Sequence, residues 1–208
     1  MPLAPLTYLH RYEPGHTTAA PPLLLLHGTG GDEHDLIPLA RQLAPNSALL
    51  SPRGDVLENG HPRFFRRYAE GVFDFPDVQQ RTHALADFIL AAAQHYHFDA
   101  SRLTALGFSN GANIAASLLL LRPESLTAAV LLRPMIVLTP TSLPNLNGKR
   151  LLISSGIHDP IVPADHPQRL TTMFRDAGAE VLLHTIASGH GLGREDIAAA
   201  QTFFASIP

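Results

Sequence analysis

Short apolar runs alternate along the chain with longer stretches in which apolar residues recur at helical spacing. The first run, Leu23–Leu26, lies between Pro22 and His27, and its continuous apolar character predicts a strand that is buried on both faces. Apolar residues from Leu36 to Leu43 then follow helical spacing, and Ala48–Ser51 is predicted as the next strand.

The remainder of the chain repeats this alternation. Strands are predicted over Leu103–Phe108, Ala128–Leu132, Leu151–Ser154 and Val181–Ile186, and helices from Val78 to Ala92, Ala112 to Leu121, about Asp165 to Ala177 and Arg194 to Ala205. Alternating strands and helices imply an α/β fold with a mostly parallel central sheet and helices on both faces. The chemistry of such folds lies beyond the carboxyl ends of the strands. The stretch from Arg53 to Asp77 is predicted to be irregular.

Length and composition favour one globular unit. The chain has 208 residues, which suits a single domain spanning 1–208. Hydrophobic residues make up 45%, enough for a substantial core, and charged residues only 16%, which is the opposite of a disordered chain.

Charge and cysteine content exclude several classes of partner and site. The net charge of -3 offers no electrostatic reason to hold nucleic acid or an anionic membrane. The absence of cysteine excludes disulfide frameworks, thiolate zinc sites and cysteine nucleophiles. No apolar stretch is long enough to suggest a membrane span, and the start, Met1 to Pro5, lacks the pattern of a signal peptide. We therefore expect a cytoplasmic protein.

A candidate nucleophile lies between a predicted strand and a predicted helix. Gly107-Phe108-Ser109-Asn110-Gly111 matches the pattern G-x-S-x-G, in which a sharp turn exposes the serine and small neighbours relieve crowding. The pentapeptide alone is weak, because a serine in a glycine-rich turn or helix cap is a common alternative. Its position between strand and helix favours the catalytic interpretation.

A serine nucleophile needs a base, and position separates one histidine from the other eleven of the 12. His190 lies between two glycines in the loop that follows the last predicted strand. His184 is within that strand, and His158 and His166 are weaker alternatives. A metal site formed by His95 and His97 is the other alternative.

The base needs an acid, and Asp159 is the best candidate because it follows the strand at 151–154. Asp165 competes with it but is better placed to cap the next helix. The order Ser109, Asp159, His190 is the Ser…Asp…His order of the α/β-hydrolase fold, and each residue follows a separate predicted strand.

A glycine-rich segment supplies a candidate oxyanion hole. His27-Gly28-Thr29-Gly30-Gly31 follows the first predicted strand, and its backbone could approach a substrate closely. The expected donors are the N–H groups of Thr29 and Asn110, whereas His27 is expected to be structural. A phosphate-binding loop is the rival interpretation, but neither glycine-rich phosphate pattern is present.

These motifs together resemble the carboxylesterase/phospholipase group of the α/β-hydrolase superfamily, which includes small acyl-protein-thioesterase-like enzymes. The segments that carry the resemblance are H-G-T-G-G-D-E at 27–33, P-R-G at 52–54, G-F-S-N-G at 107–111, residues 156–163 and S-G-H at 188–190, and the first two are similar to a bacterial branch. The resemblance implies a serine hydrolase with Ser109, Asp159 and His190 as triad, no cofactor and no metal. It also implies a homodimer. Asn110 departs from the glutamine that thioesterase-like members often carry.

The substrate is expected to be a small molecule, namely a short-chain soluble ester, because little of the chain remains for a lid or large cap. The pocket is predicted from the 53–77 loop and from residues that follow other strands: Arg53, Phe64, Arg66, Phe73, Met135 and Leu192. An arginine there would favour a substrate that bears a carboxylate or hydroxyl group. Thioesterase, lysophospholipase or amidase activity would use the same triad. A ligand-binding protein with an idle triad is the alternative from another class.

Overall fold

The computed structural model describes residues 5–207. The expectation about a signal peptide therefore rests largely on Met1–Ala4, which lie outside the described residues. The strands are β1 (His10–Glu13), β2 (Leu23–Leu26), β3 (Leu49–Pro52), β4 (Val56–Glu58), β5 (His61–Arg63), β6 (Arg67–Ala69), β7 (Val72–Phe73), β8 (Thr104–Phe108), β9 (Ala128–Leu132), β10 (Arg150–Gly156) and β11 (Glu180–Ile186). The α-helices are α1 (Ile37–Leu43), α2 (Phe75–Tyr96), α3 (Asn110–Leu121), α4 (His166–Asp176) and α5 (Arg194–Ala205).

Seven strands form the central sheet in the order β1-β3-β2-β8-β9-β10-β11. All neighbouring pairs are parallel except β1 with β3. The prediction of a mostly parallel sheet is confirmed. Strand β1 was not predicted, because His10-Arg11-Tyr12-Glu13 pairs on one side only and lacks the apolar run of a central strand.

Helices cover both faces of the sheet, as predicted. Helices α2, α3 and α4 pack on one face, and α1 and α5 pack on the other. The four leucines of β2 contribute to the hydrophobic core on both faces of the sheet. Leu24 and Leu26 join the first core cluster, whereas Leu23 and Leu25 join the second, because successive side chains of a strand point to opposite faces.

The stretch from Arg53 to Asp77 is more regular than predicted. It contains two antiparallel hairpins, β4–β5 and β6–β7, and α2 begins at Phe75. Asn59 and Gly60 connect β4 to β5 with φ angles of 52° and 83°, which a type I′ turn requires. The Asn-Gly pair was the sequence signal for this hairpin. The prediction of an irregular loop was wrong because strands of two or three residues are too short to show an alternating pattern of apolar and polar residues.

Between Leu132 and Arg150 the described chain contains no helix or strand. Met135, Val137 and Leu138 of this segment are buried in the core instead. The fold is therefore a minimal one without a large cap, as predicted. No helix within residues 5–207 has the length and apolar character needed to span a bilayer.

Candidate active site

A strained turn between β8 and α3 presents Ser109. Its backbone has φ 51° and ψ −114°, a conformation that costs energy and is typical of functional sites. The turn leaves no room for side chains beside it. A Cβ atom at Gly111 would lie 1.9 Å from the carbonyl oxygen of Leu26, and one at Gly107 would lie 2.7 Å from that of Gly111. Gly111 therefore lets the turn pack directly on β2, and Gly107 lets the start of α3 lie close to β8.

The structure brings Ser109, His190 and Asp159 into one chain of hydrogen bonds. His190 Nε2 lies 2.9 Å from Ser109 Oγ, and His190 Nδ1 lies 2.7 Å from Asp159 Oδ2. The other oxygen of Asp159 accepts hydrogen bonds from the N–H groups of Ile161 and Val162 at 2.8 and 3.1 Å. The acid is thus fixed by its own loop, and all three residues lie where sequence reasoning placed them.

The direction of these bonds decides what the histidine does. A carboxylate is acceptor-only, so the proton between Asp159 and His190 is on Nδ1 of the imidazole. Nε2 then carries the lone pair that faces the hydroxyl of Ser109. The arrangement suits removal of the hydroxyl proton by His190.

Two unpaired backbone N–H groups lie at the same cavity. Among the hydrogen bonds of residues 5–207, none has the N–H of Thr29 or Asn110 as its donor. Both residues line the cavity with Ser109, and Asn110 begins α3, where the helix favours negative charge. The pair is therefore placed to stabilise an oxyanion.

His27 holds the backbone next to this hole. Its Nε2 accepts a hydrogen bond from the N–H of Gly54 at 2.9 Å, and its Nδ1 lies 2.6 Å from the carbonyl oxygen of Gly28, to which it donates. Burial lowers the pKa of His27, so the neutral ring is favoured in the folded protein. The ring is structural, as expected.

The lowered pKa of His27 leads us to expect that the free energy of unfolding depends on pH. Because the pKa of His27 is lower in the folded than in the unfolded chain, the unfolded chain binds more protons below about pH 6.5, and stability falls as the pH falls. The contribution is at most about 1.4 kcal/mol per pH unit for one proton. Urea unfolding of wild type and His27→Gln at pH 7.5 and 5.5 measures it. A loss between the two pH values that is the same in both proteins would contradict the assignment.

Arg133, a buried arginine that was not predicted as a site residue, forms hydrogen bonds to the loop that carries His190. Arg133 is fully buried and donates to the carbonyl oxygens of Gly189 and Gly191 at 3.1 and 3.0 Å and to Ser188 Oγ at 3.1 Å. It thus holds the backbone on both sides of His190. Its position after β9 was the available signal, since reactive residues follow strands in this fold.

The charge of Arg133 is balanced by Asp196 of α5. The pair is bidentate, at 2.7 and 2.8 Å, and Asp196 is also buried. Burial alone would raise the pKa of Asp196, but its hydrogen bonds from Arg133, Ser154 and Gly193 outweigh burial and lower it. A hydrogen-bonded ion pair therefore anchors the His190 loop to the last helix.

The cavity at Ser109 is small, about 270 Å³. Its lining residues come from six segments of the chain: Thr29, Arg63, Arg67, Glu70, Phe73, Phe108, Ser109, Asn110, Asn113, Met135, Ile161 and His190. Phe73 and Met135 line it as predicted. Phe73, Phe108, Met135 and Ile161 are its apolar lining residues, and the two arginines come from β5 and β6.

The structure does not bring the other predicted pocket residues to this cavity, and the prediction is corrected for them. Arg53 pairs with Glu33 at 2.5 and 2.9 Å. Phe64 is buried with its ring against His27. Arg66 is exposed and pairs with Asp77 at 3.2 Å. Leu192 packs on the second core cluster. Arg63 in β5 and Arg67 in β6 line the cavity instead of Arg53 and Arg66, and the sequence alone did not distinguish between these arginines.

No group of three or more His, Asp or Glu side chains within residues 5–207 is arranged to hold a metal ion. His97 ends α2 in a left-handed conformation, and the ring of His95 lies edge-on to Tyr96.

Comparison with known proteins shows the family of the chain. The model of the phospholipase/carboxylesterase family matches residues 11–207. The chain belongs to this family. It is therefore a hydrolase, and its α/β-hydrolase fold is shared with solved relatives.

Three relatives illustrate the similarity. The putative hydrolase MhqD of Bacillus subtilis is 44% identical over 195 residues, which is 94% of this chain and 96% of that protein. The Bacillus cereus carboxylesterase structure has a TM-score of 0.95 and 43% identity over 97% of this chain and 95% of its own. The structure of YahD with malic acid has a TM-score of 0.91 and 28% identity over 97% of this chain and all of its own (100%).

Proposed function

We propose that this hydrolase is a serine carboxylesterase that cleaves small esters through an acyl-enzyme intermediate. The observation that carries the proposal is the position of His190, whose ring lies between Ser109 Oγ at 2.9 Å and Asp159 Oδ2 at 2.7 Å. The unpaired N–H groups of Thr29 and Asn110 beside Ser109 add the oxyanion hole that acyl transfer needs.

The reaction proceeds in two steps. His190 takes the proton of Ser109 as Oγ attacks the ester carbonyl, and the two N–H groups stabilise the negative oxygen. The carbonyl re-forms as the C–O bond to the alcohol breaks, and His190 gives its proton to the departing alcohol. Water then attacks the acyl-enzyme with His190 again as base, which releases the acid and restores Ser109.

The size of the cavity supports small substrates. A volume of about 270 Å³ lies just below the range of typical ligand pockets, which is about 300–1,000 Å³. The apolar wall of Phe73, Met135 and Ile161 suits a short acyl chain. The cytoplasmic location and the homodimer stay predictions from the sequence.

A panel of substrates tests the proposal. We expect 4-nitrophenyl acetate and butyrate to be hydrolysed with higher kcat/KM than the decanoate, thioesters or lysophospholipids. Because one similar structure contains malic acid, the panel includes methyl esters of small hydroxy acids. A fluorophosphonate probe is expected to label wild type but not Ser109→Ala.

Each alternative has its own outcome. A higher kcat/KM on acyl thioesters or lysophospholipids would replace the ester by that substrate class. Hydrolysis without probe labelling would exclude the serine mechanism. Failure of wild type both to label and to hydrolyse any member of the panel would leave a binding protein with an idle triad.

A further inference from the structure

Arg63 is the unusual member of the cavity, because it is a buried cation at the wall of a binding site. Only 2% of the residue is exposed, yet it lines the cavity next to Ser109. A buried charge is costly unless it is paired and hydrogen-bonded. The surroundings of Arg63 therefore show what the site is built to receive.

The hydrogen bonds of Arg63 are incomplete. Nε donates to the carbonyl oxygen of Phe65 at 3.3 Å, and Nη1 donates to Thr29 Oγ1 at 2.6 Å. Within the described part of the chain, Nη2 of Arg63 has no hydrogen-bond partner. Arginine has five N–H donors in a fixed plane, so this one offers unused donors at the cavity.

The charge of Arg63 is also poorly matched. The nearest carboxylate oxygen, on Glu58, lies 3.5 Å from Nη1. That carboxylate already accepts hydrogen bonds from Arg67 at 2.9 to 3.1 Å. Glu70, the acid that lines the cavity, also pairs with Arg67. Both acids are thus committed to Arg67, and Arg63 is the cation with spare capacity.

The electrostatic environment points the same way. Burial, together with repulsion from Arg67, lowers the pKa of Arg63. A desolvated guanidinium gains more from an anionic partner than an exposed one does, since water no longer screens the pair.

The position of Arg63 relates this cation to the reaction centre. Its Nη1 contacts the side chain of Thr29, a residue that lines the cavity and whose backbone N–H is the proposed oxyanion donor. A hydrogen-bond acceptor that is separated from the scissile carbonyl by a few bonds of the substrate can therefore contact the guanidinium of Arg63. A planar guanidinium favours a carboxylate, which can accept two hydrogen bonds.

We propose that the substrate is an ester carrying a carboxylate a short distance from the scissile bond, and that Arg63 recognises this carboxylate. The inference rests on the proposed function. The carboxylate could belong to the acyl or the alcohol part of the ester, and the experiment distinguishes the two.

Two matched pairs of esters test the acyl and alcohol sides. Monomethyl succinate is compared with methyl butyrate, and 4-acetoxybenzoate with 4-acetoxybenzamide, by kcat/KM. Wild type is expected to prefer the acidic ester in at least one pair. Arg63→Met is expected to lower the acidic-to-neutral ratio about 10- to 100-fold, as for loss of a hydrogen bond between charged groups. Arg63→Lys is expected to retain part of the preference.

Arg66→Met is the matched control, because this neighbouring arginine is exposed and pairs with Asp77 outside the cavity. It should leave the ratio unchanged. Equal losses on acidic and neutral esters in Arg63→Met would show that Arg63 only supports Thr29, and would overturn the inference. Thr29→Val, which removes the hydroxyl that Arg63 contacts, gives the pattern for such a supporting role.

Wild type alone also tests the inference if the variants do not fold. Succinate is expected to inhibit hydrolysis of 4-nitrophenyl acetate competitively and more strongly than its diamide. Equal or weaker inhibition, with no preference for either acidic ester, would overturn the role of Arg63 while leaving the esterase function intact. Hydrolysis of no ester at all would instead overturn the proposed function.

Discussion

Replacing Ser109 with alanine is expected to lower kcat for 4-nitrophenyl butyrate by about four to six orders of magnitude. The variant loses the atom that forms the acyl-enzyme, whereas the oxyanion donors and the cavity remain. The fold should be unaffected, because alanine has a Cβ atom like serine and can adopt the same backbone conformation, with φ 51°, at a similar cost. Stopped assays with long incubation, together with urea unfolding, separate the loss of activity from a loss of stability.

The losses in the Ser109–His190 pair should not add. Serine and base act as one unit, so Ser109→Ala, His190→Ala and the double variant are expected to have nearly the same residual activity. Ser142→Ala, at an exposed serine in the segment after β9, is the control and should keep wild-type kcat. Additive losses would mean that Ser109 and His190 act in separate steps.

Replacing Arg133 with methionine is expected to lower the free energy of unfolding by about 3–5 kcal/mol. The substitution leaves Asp196 buried without its partner and removes the donors that hold Gly189 and Gly191. A His190 loop displaced by about 1 Å would cost about 100-fold in kcat even in folded protein. Urea unfolding and steady-state kinetics on the folded fraction measure the two effects.

A second substitution separates the charge from the loop. Arg133→Met combined with Asp196→Leu removes both buried charges, so much of the stability should return. The activity should stay low, because the loop still lacks its donors. Recovery of full activity in the double variant would exclude a positioning role for Arg133.

The ion pair between Arg133 and Asp196 is expected to make the stability of the fold sensitive to acid. Because the pKa of Asp196 is lower in the folded than in the unfolded chain, its contribution is present above about pH 4 and is lost as the pH falls further. Asp196→Asn should therefore lose less stability than wild type between pH 5 and 3. An equal loss in both proteins would contradict the assignment.

The sequence by itself determined the layers and the reactive residues. The run Leu23–Leu26 predicted a strand buried on both faces, and the position of the glycines around Ser109 between a predicted strand and a predicted helix favoured a tight turn. Asp159 and His190 were identifiable because each follows a predicted strand, and the carboxyl ends of parallel strands meet at one edge. These are local signals, fixed by periodicity and by the conformational demands of single residues.

Only the tertiary structure showed which residues line the cavity and which residue holds the loop of the catalytic base, His190. Whether Arg63 or Arg66 faces inward depends on the register of β5 and on the hydrogen bond from the N–H of Phe64 to Asn110 Oδ1, which joins residues 46 positions apart. Arg133 reaches the His190 loop across more than 50 residues of chain, at a sequence separation of 56 for Gly189. Such contacts form between segments that lie far apart along the chain, so the position of each residue in the sequence does not predict which residues meet.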